Sequence, residues 1–231
     1  LVVPEINGDL VDAFTPGEGG IIANPNCSTI IMLMAVDPIH RAAGVRRMVV
    51  STYQSASGAG AQAMAELEEQ SRAVLDKQPA EPKVLPHPCA FNVFSHNSDI
   101  GANGYNTEEM KMVHETRKIW NAPDVQVTAT CVRVPVLRAH AESINLTLEN
   151  PLSEDEARER IAAAPGVRII DDREANLFPM PVDVSGRDEV AVGRIRRDIS
   201  QPNGLDLFVC GDQIRKGAAL NAVQIAERLI G

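Results

Sequence analysis

Helix-forming stretches and β-branched runs alternate along this chain without the regular strand–helix–strand rhythm that an all-parallel sheet demands. That pattern restricts the fold to the α/β class in its α+β form, a mixed sheet with helices packed on one face. A strand is expected at the opening Leu1–Glu5, followed by a Gly-rich turn at 17–20. The apolar run Ile30–Val36 belongs to a helix that starts near Ser28. Asp37-Pro38 has the form of a new N-cap with Pro in the first turn, so the helix is expected to kink or restart there.

Further along, Met48–Tyr53 reads as a strand and 61–77 as a helix closed by Pro79, with a Pro-rich surface loop over 79–88. Asn106 and Glu109 have the spacing of a capping box for a helix ending near Trp120. Period-two alternation places Val125, Val127, Ala129, Cys131 and Arg133 on one strand face. Ser143–Leu148 is a strand, and Ser153 with Glu156 caps a helix that stops at Pro165-Gly166. Strands near 167–170, 189–196 and 205–210 precede a last helix from about Lys216 to Ile230.

Composition narrows the function classes. Lys and Arg number 22 against 31 Asp and Glu, a net charge of −9, which disfavours nucleic-acid binding because phosphate neutralisation needs a basic surface. The basic cluster Arg194, Arg196, Arg197 is flanked by Asp188, Glu189 and Asp198 and reads as a solvated strand face. No apolar run approaches the roughly 20 residues of a membrane span, and no signal peptide opens the chain, so a cytoplasmic protein without a membrane partner is expected. The four cysteines, Cys27, Cys89, Cys131 and Cys210, form no CxxC pair, so reduced thiols and no metal site are expected.

Cys27 stands apart because a helix begins beside it. A thiol at a helix N-terminus feels the dipole and free backbone N–H groups, which favour the thiolate and lower its pKa. The same N–H groups can hold an oxyanion once a carbonyl is attacked. On residue pattern alone a buried structural cysteine remains the competing reading.

The segment Asn24-Pro25-Asn26-Cys27-Ser28-Thr29 resembles the active-site segment of aspartate-semialdehyde dehydrogenases. The resemblance continues through Ser51-Thr52-Tyr53-Gln54-Ser55-Ala56-Ser57-Gly58-Ala59-Gly60, Glu108-Glu109-Met110-Lys111-Met112 and Arg133-Val134-Pro135-Val136-Leu137-Arg138-Ala139-His140. These motifs keep the family's order and spacing from Ile22 to about Glu142, with a weaker colinear match through Gly204-Leu205-Asp206 and Asn221. The resemblance implies a largely antiparallel mixed sheet like the C-terminal domain of glyceraldehyde-phosphate dehydrogenase. It also implies an NADP cofactor and assembly as a homodimer or homotetramer.

The implied activity is NADPH-dependent conversion of aspartyl-β-phosphate to aspartate semialdehyde through a Cys thioester, in lysine, threonine and methionine biosynthesis. Carried over residue by residue, Cys27 is the nucleophile, with Gln54 and His140 at the reacting centre. Arg133, Glu108 and Asn26 lie on the substrate, and Lys111 serves the phosphate. Ser57, Gly58 and Gly60 lie by the nicotinamide, and Asn221 also belongs to the cofactor site. Each role suits its residue type. A guanidinium fork can grip a carboxylate bidentately, and a histidine of ordinary pKa near 6.5 can shuttle the thiol and thiohemiacetal protons. Glu108 and Lys111 share a helix face at i, i+3, which on spacing alone is equally a surface ion pair.

Two departures stand out. Ala139 replaces the Gly that the family usually has before the site histidine, and Arg138 is bulkier than expected there. No GxxGxxG follows an opening strand, so the family's dinucleotide-binding domain, with its phosphate-binding Arg, is expected to lie outside this sequence. Residues 1–22 are then a remnant of that domain, 23–213 the catalytic and dimerisation domain, and 214–231 a helix that packs on the missing part. The chain alone is expected to bind NADP poorly and turn over little. The rival readings are N-acetyl-γ-glutamyl-phosphate reductase, whose nucleophile segment reads Gly-Cys-Tyr-Pro, and a non-catalytic dimerisation module with a reactive thiol.

Overall fold

A computed structural model describes residues 1–14 and 19–230. Its centre is helix α3, Cys27–Ala43, in which Ile30 to Val36 are all 0–2% exposed. A helix apolar all round must be covered on every side, and α3 lies between the sheet, α5 and α6. The helix runs unbroken through Pro38, contrary to the expected kink or restart. Asp37 does not act as an N-cap. Its carboxylate instead accepts from Trp120 Nε1 at 3.0 Å and from Arg41 Nε at 2.6 Å. Packing on all sides outweighs the single backbone bond that Pro38 forfeits.

Seven strands form one mixed sheet in the order β2-β3-β1-β4-β7-β6-β5. They are β1 (Val45–Gln54), β2 (Phe94–Ser95), β3 (Gln126–Arg133), β4 (His140–Leu148), β5 (Val167–Ile169), β6 (Val190–Arg197) and β7 (Gly204–Gly211). β1 runs parallel to β3, and β5 to β6; the other neighbours are antiparallel. The sheet is therefore mixed and largely antiparallel, as expected. Met48, Val50, Ala129, Cys131, Ile144, Leu146, Leu207 and Val209 face α3 and are buried. α5 (Thr107–Ile119) and α6 (Glu154–Ala162) flank α3, and both start with the capping boxes expected at Asn106 and Ser153.

The opposite face carries Val49, Ser51, Tyr53, Ser143, Asn145 and Phe208, all partly exposed. The short helix α7 (Pro181–Val184) covers only one side of it, around Ala141, Ala191 and Cys210. α4 (Ala61–Leu75) ends in the expected loop, held by Glu66, which accepts from the amides of Lys83 (2.7 Å) and Leu85 (3.2 Å).

The chain ends differ from expectation. Leu1–Val3 pair with no strand, and Pro4–Asn7 and Asp9–Asp12 form two short helices, α1 and α2. Pro4 sits in the first turn, where its missing N–H costs nothing, and the Asn7 side chain accepts from the amide of Val3 at 2.9 Å. Of the expected Gly-rich turn, 15–18 lies outside the described residues. The last helix is divided into a π-helical turn, Arg215–Ala219, and α8, Leu220–Ile230. α8 packs on α1 and α2 through Val2, Val11 and Ile225. Arg228 pairs with Asp12, and the buried Lys216 ammonium is held by Glu5, Asn221 and Gln224. Its other side leaves Val223, Leu229 and Ile230 exposed. Among the described residues no helix is long and apolar enough to cross a membrane, and no cluster of three His, Cys, Asp or Glu is disposed to hold a metal.

Candidate active site

The sheet brings three of the sequence-identified residues to one edge. Gln54 ends β1 and is the register partner of Arg133, which ends β3. β4 runs the other way, so its first residue, His140, lies at the same edge, opposite Gly211. β4 thus begins three residues earlier than the sequence suggested, and His140 belongs to the strand. Helix α3 points its N-terminus at this edge.

Cys27 is the first residue of α3, one position before the expected start. Asn26 is the N-cap, its Oδ1 accepting from the amides of Ser28 at 3.0 Å and Thr29 at 3.2 Å. Asn26 Nδ2 donates to Glu108 at 2.8 Å. The side chain of Asn26 therefore shapes the site through Oδ1 and one Nδ2 hydrogen, and one Nδ2 hydrogen has no partner among these bonds. Of the four cysteines Cys27 alone is partly exposed; Cys89, Cys131 and Cys210 are buried.

The thiol is not the depressed thiolate expected from a helix N-terminus. Desolvation, then the charges of Glu108 and Glu142, push Cys27 up to about 12, against weaker opposing hydrogen bonds from Ser28. Although residue 27 keeps part of its surface exposed, desolvation of its thiol outweighs the dipole, because removing water penalises the anion directly whereas one helix end contributes only about 0.3–2 kcal/mol. At rest Cys27 is the neutral thiol.

Gln54 is buried and its Nε2 lies 3.0 Å from Ser28 Oγ and 3.3 Å from Glu108 Oε1. Burial opposes ionisation of Glu108, but the Asn26 bond, the Lys111 charge and the Gln54 bond hold its carboxyl below the ordinary range. Lys111 reaches Glu108 at 3.5 Å and keeps half its side chain in solvent. The helix-face pairing expected from i, i+3 spacing is thus present.

His140 is fully buried. The Ser55 amide donates to its Nδ1 at 3.1 Å. An amide can only donate, so the neutral ring carries its proton on Nε2, a buried atom with no partner. Burial, then the Arg133 charge, lowers its pKa to about 3. This corrects the expectation of a histidine titrating near 6.5, since a buried ring beside a guanidinium resists a second positive charge.

Ala139, immediately before it, has φ +72, the left-handed conformation that explains the family's Gly there. Its amide donates to Gln213 Oε1 at 3.0 Å. Arg138 turns away to Asp212, 2.8 Å from Nε to Oδ2, and does not crowd the site.

Arg133 is 1% exposed. Its NH1 donates to Ser55 O at 2.6 Å, and its NH2 contacts His96 Nε2 at 2.9 Å and Asn97 Oδ1 at 2.7 Å. Nε is buried without a partner. The expected open fork is therefore largely engaged, with both N–H bonds of NH2 taken.

Gly58 faces this group: a Cβ there would lie 3.0 Å from Arg133 NH1 and 3.2 Å from His140 Nε2. Gly60 has φ +95 and starts α4, a conformation closed to residues with a side chain. The Ser57 hydroxyl is bonded to Ser55 and Gln213. Asn221 is 0% exposed and ties Val2 O (3.0 Å), Asn24 Oδ1 (2.7 Å) and Lys216 together. It serves the joint between α8 and the N-terminal segment, and its amide is not free for a cofactor.

Sequence reasoning missed four contributors. Ser55, His96 and Asn97 grip Arg133 or His140, and nothing in their spacing announced it. Glu142 lies on the α3-facing side of β4, two residues from His140, with both carboxylate oxygens buried and unpartnered. Burial, then Glu108, raises its pKa well above the ordinary value. Its i, i+2 relation to His140 was the available signal.

Residues 36–216 match the family described as semialdehyde dehydrogenase, dimerisation domain. The aspartate-semialdehyde dehydrogenase of Synechocystis sp. is 59% identical over 230 residues, 100% of this chain and 67% of that protein. That of Prochlorococcus marinus is 54% identical, over 100% of this chain and 66% of its own length. Among solved structures, aspartate semialdehyde dehydrogenase II of Vibrio cholerae complexed with ASA superposes with a TM-score of 0.94 at 44% identity, over 99% of this chain and 67% of that one. The chain thus spans about two thirds of the length of these relatives.

Proposed function

Because the chain belongs to the aspartate-semialdehyde dehydrogenase family of oxidoreductases, we propose that it carries the nucleophile and substrate site for NADPH-dependent reduction of aspartyl-β-phosphate to aspartate semialdehyde. The observation that carries this is the meeting of Cys27, at the head of α3, with the Gln54, Arg133 and His140 edge, joined through Asn26 and Glu108. Cys27 Sγ attacks the acyl carbon, the carbon–oxygen bond to phosphate breaks, and the thiol proton leaves with the phosphate. This coupling suits a thiol held near 12. The nicotinamide cofactor, when bound, supplies hydride to the thioester carbon. The His140 Nε2–H donates to the oxygen that becomes negative as the thioester is reduced. Collapse then releases the aldehyde and regenerates the sulfur for reprotonation.

Arg133 offers its charge and its unpartnered Nε–H to the substrate carboxylate, and Glu108 faces its ammonium. Gly58 and Gly60 fit the nicotinamide side of the site, since a side chain at 58 would fill the space beside Arg133 and His140. We assign the remaining cofactor contacts to the part of the relatives' length that this chain does not span. α8 and 1–22 would adjoin that part, with Val223, Leu229 and Ile230 as its exposed apolar contacts. A protein at the relatives' length should therefore oxidise aspartate semialdehyde with NADP only when phosphate is present; phosphate-independent turnover would sink the reading. Lys111→Ala is expected to raise KM for phosphate about tenfold while leaving KM for the aldehyde near its original value.

Two copies pair through the sheet face opposite α3, forming a homodimer or a homotetramer of two such dimers. The family description, a dimerisation domain, supports this, as does the partly exposed row holding Tyr53 and Phe208, whose rings lie 6.3 Å apart. Tyr53→Glu with Phe208→Glu should give a monomer by sedimentation. Retention of the dimer would move the interface elsewhere.

A further inference from the structure

We propose that His96 is a positioning residue for substrate binding, one ring that fixes both Arg133 and, through Ser98, the Glu108 end of α5. The inference rests on the functional reading above. Arg133 NH2 can only donate, so His96 Nε2 at 2.9 Å must present its lone pair. The neutral ring then carries its proton on Nδ1, which lies 3.1 Å from Ser98 Oγ. The Ser98 amide lies 3.2 Å from the same Nδ1 and cannot donate to it in this tautomer, so the hydroxyl is the partner. That hydroxyl also accepts from the Glu108 amide at 3.2 Å. A continuous chain of donors and acceptors thus runs from the guanidinium to the helix turn that carries the acidic substrate contact. Asn97 Oδ1, at 2.7 Å, takes the other NH2 hydrogen, so that Nε–H is the unpartnered donor turned to a ligand.

The arrangement works only while His96 is neutral, because a protonated ring would set a cation against Arg133. The charged and titratable groups around His96 are Arg133 from β3, Glu108 and Lys111 from α5, and His140 from β4. Burial and then Arg133 hold His96 down to about 4, against Glu108.

The test uses the protein at its relatives' length. His96→Ala should raise KM for aspartate semialdehyde about tenfold with kcat and the phosphate KM little changed. His96→Gln keeps a neutral acceptor and should stay within about twofold of the original on every parameter. In parallel, NMR titration of the His96 ring should give a midpoint near 4, moving toward the ordinary 6.5 in Arg133→Gln. An unchanged KM in the Ala variant, a Gln variant as damaged as Ala, or a His96 midpoint near 6.5 in the unaltered protein each overturns the proposal. If the unaltered protein fails to turn over aspartate semialdehyde, the functional reading falls, whereas the ring titration still decides whether His96 serves Arg133.

Discussion

Replacing Cys27 with Ala in the protein at the relatives' length is expected to lower kcat by about 10⁴-fold or more, because the sulfur forms the only covalent bond the mechanism offers the substrate. Mass spectrometry should find an acyl adduct on the unaltered protein and none on the variant. The effect on stability should be small, since Cys27 is partly exposed and its neighbour Asn26 still caps α3. The state of the thiol makes the expectation sharper. With a pKa near 12, alkylation by iodoacetamide should climb about tenfold per pH unit through pH 9 and 10 with no plateau. Glu108→Gln removes a negative charge that raises this pKa and should shift the profile toward lower pH. A plateau below pH 8 would show that the helix terminus outweighs desolvation after all.

Arg133→Leu should have the next largest effect, lowering kcat/KM for aspartate semialdehyde by about 10²–10³-fold. In the proposed mechanism the substitution removes the cation for the substrate carboxylate, and it leaves Ser55 O, His96 and Asn97 without their shared donor. Arg133→Lys separates these contributions. It keeps the charge but loses the planar fork, so it should recover only part of the activity. Thermal unfolding offers a control. Both variants should melt lower than the unaltered protein because buried acceptors lose their donor, but only the Lys variant should regain affinity for the carboxylate. Equal kinetics for Lys and Leu would show that Arg133 holds the fold and not the substrate.

Local patterns in the chain were read correctly where short-range physics decides them. The alternation of Val127, Ala129, Cys131 and Arg133 placed all four on the inner sheet face, and Asn106 with Glu109 fixed the start of α5 through two reciprocal bonds. The apolar run after Cys27 lies in a helix as expected, and the linked motifs contain Gln54, Arg133 and His140, which the sheet brings to one edge. Nothing in those patterns required Pro38 to be tolerated inside α3, or Leu1–Val3 to leave the sheet. Both follow from packing against elements distant in sequence.

The amino-acid order by itself determined the residue types available for chemistry, the helix ends that position Cys27 and Glu108, and the inward face of β3, because caps and periodicity act over only a few residues. Tertiary structure decided the charge states and the partners. Burial holds Cys27 as a thiol, keeps His140 neutral, and raises the Glu142 carboxyl well above its ordinary range. Folding also brings His96 and Asn97 onto Arg133 from the neighbouring loop. Desolvation and hydrogen bonding depend on every atom packed around a group, and most of those atoms come from segments far away along the chain.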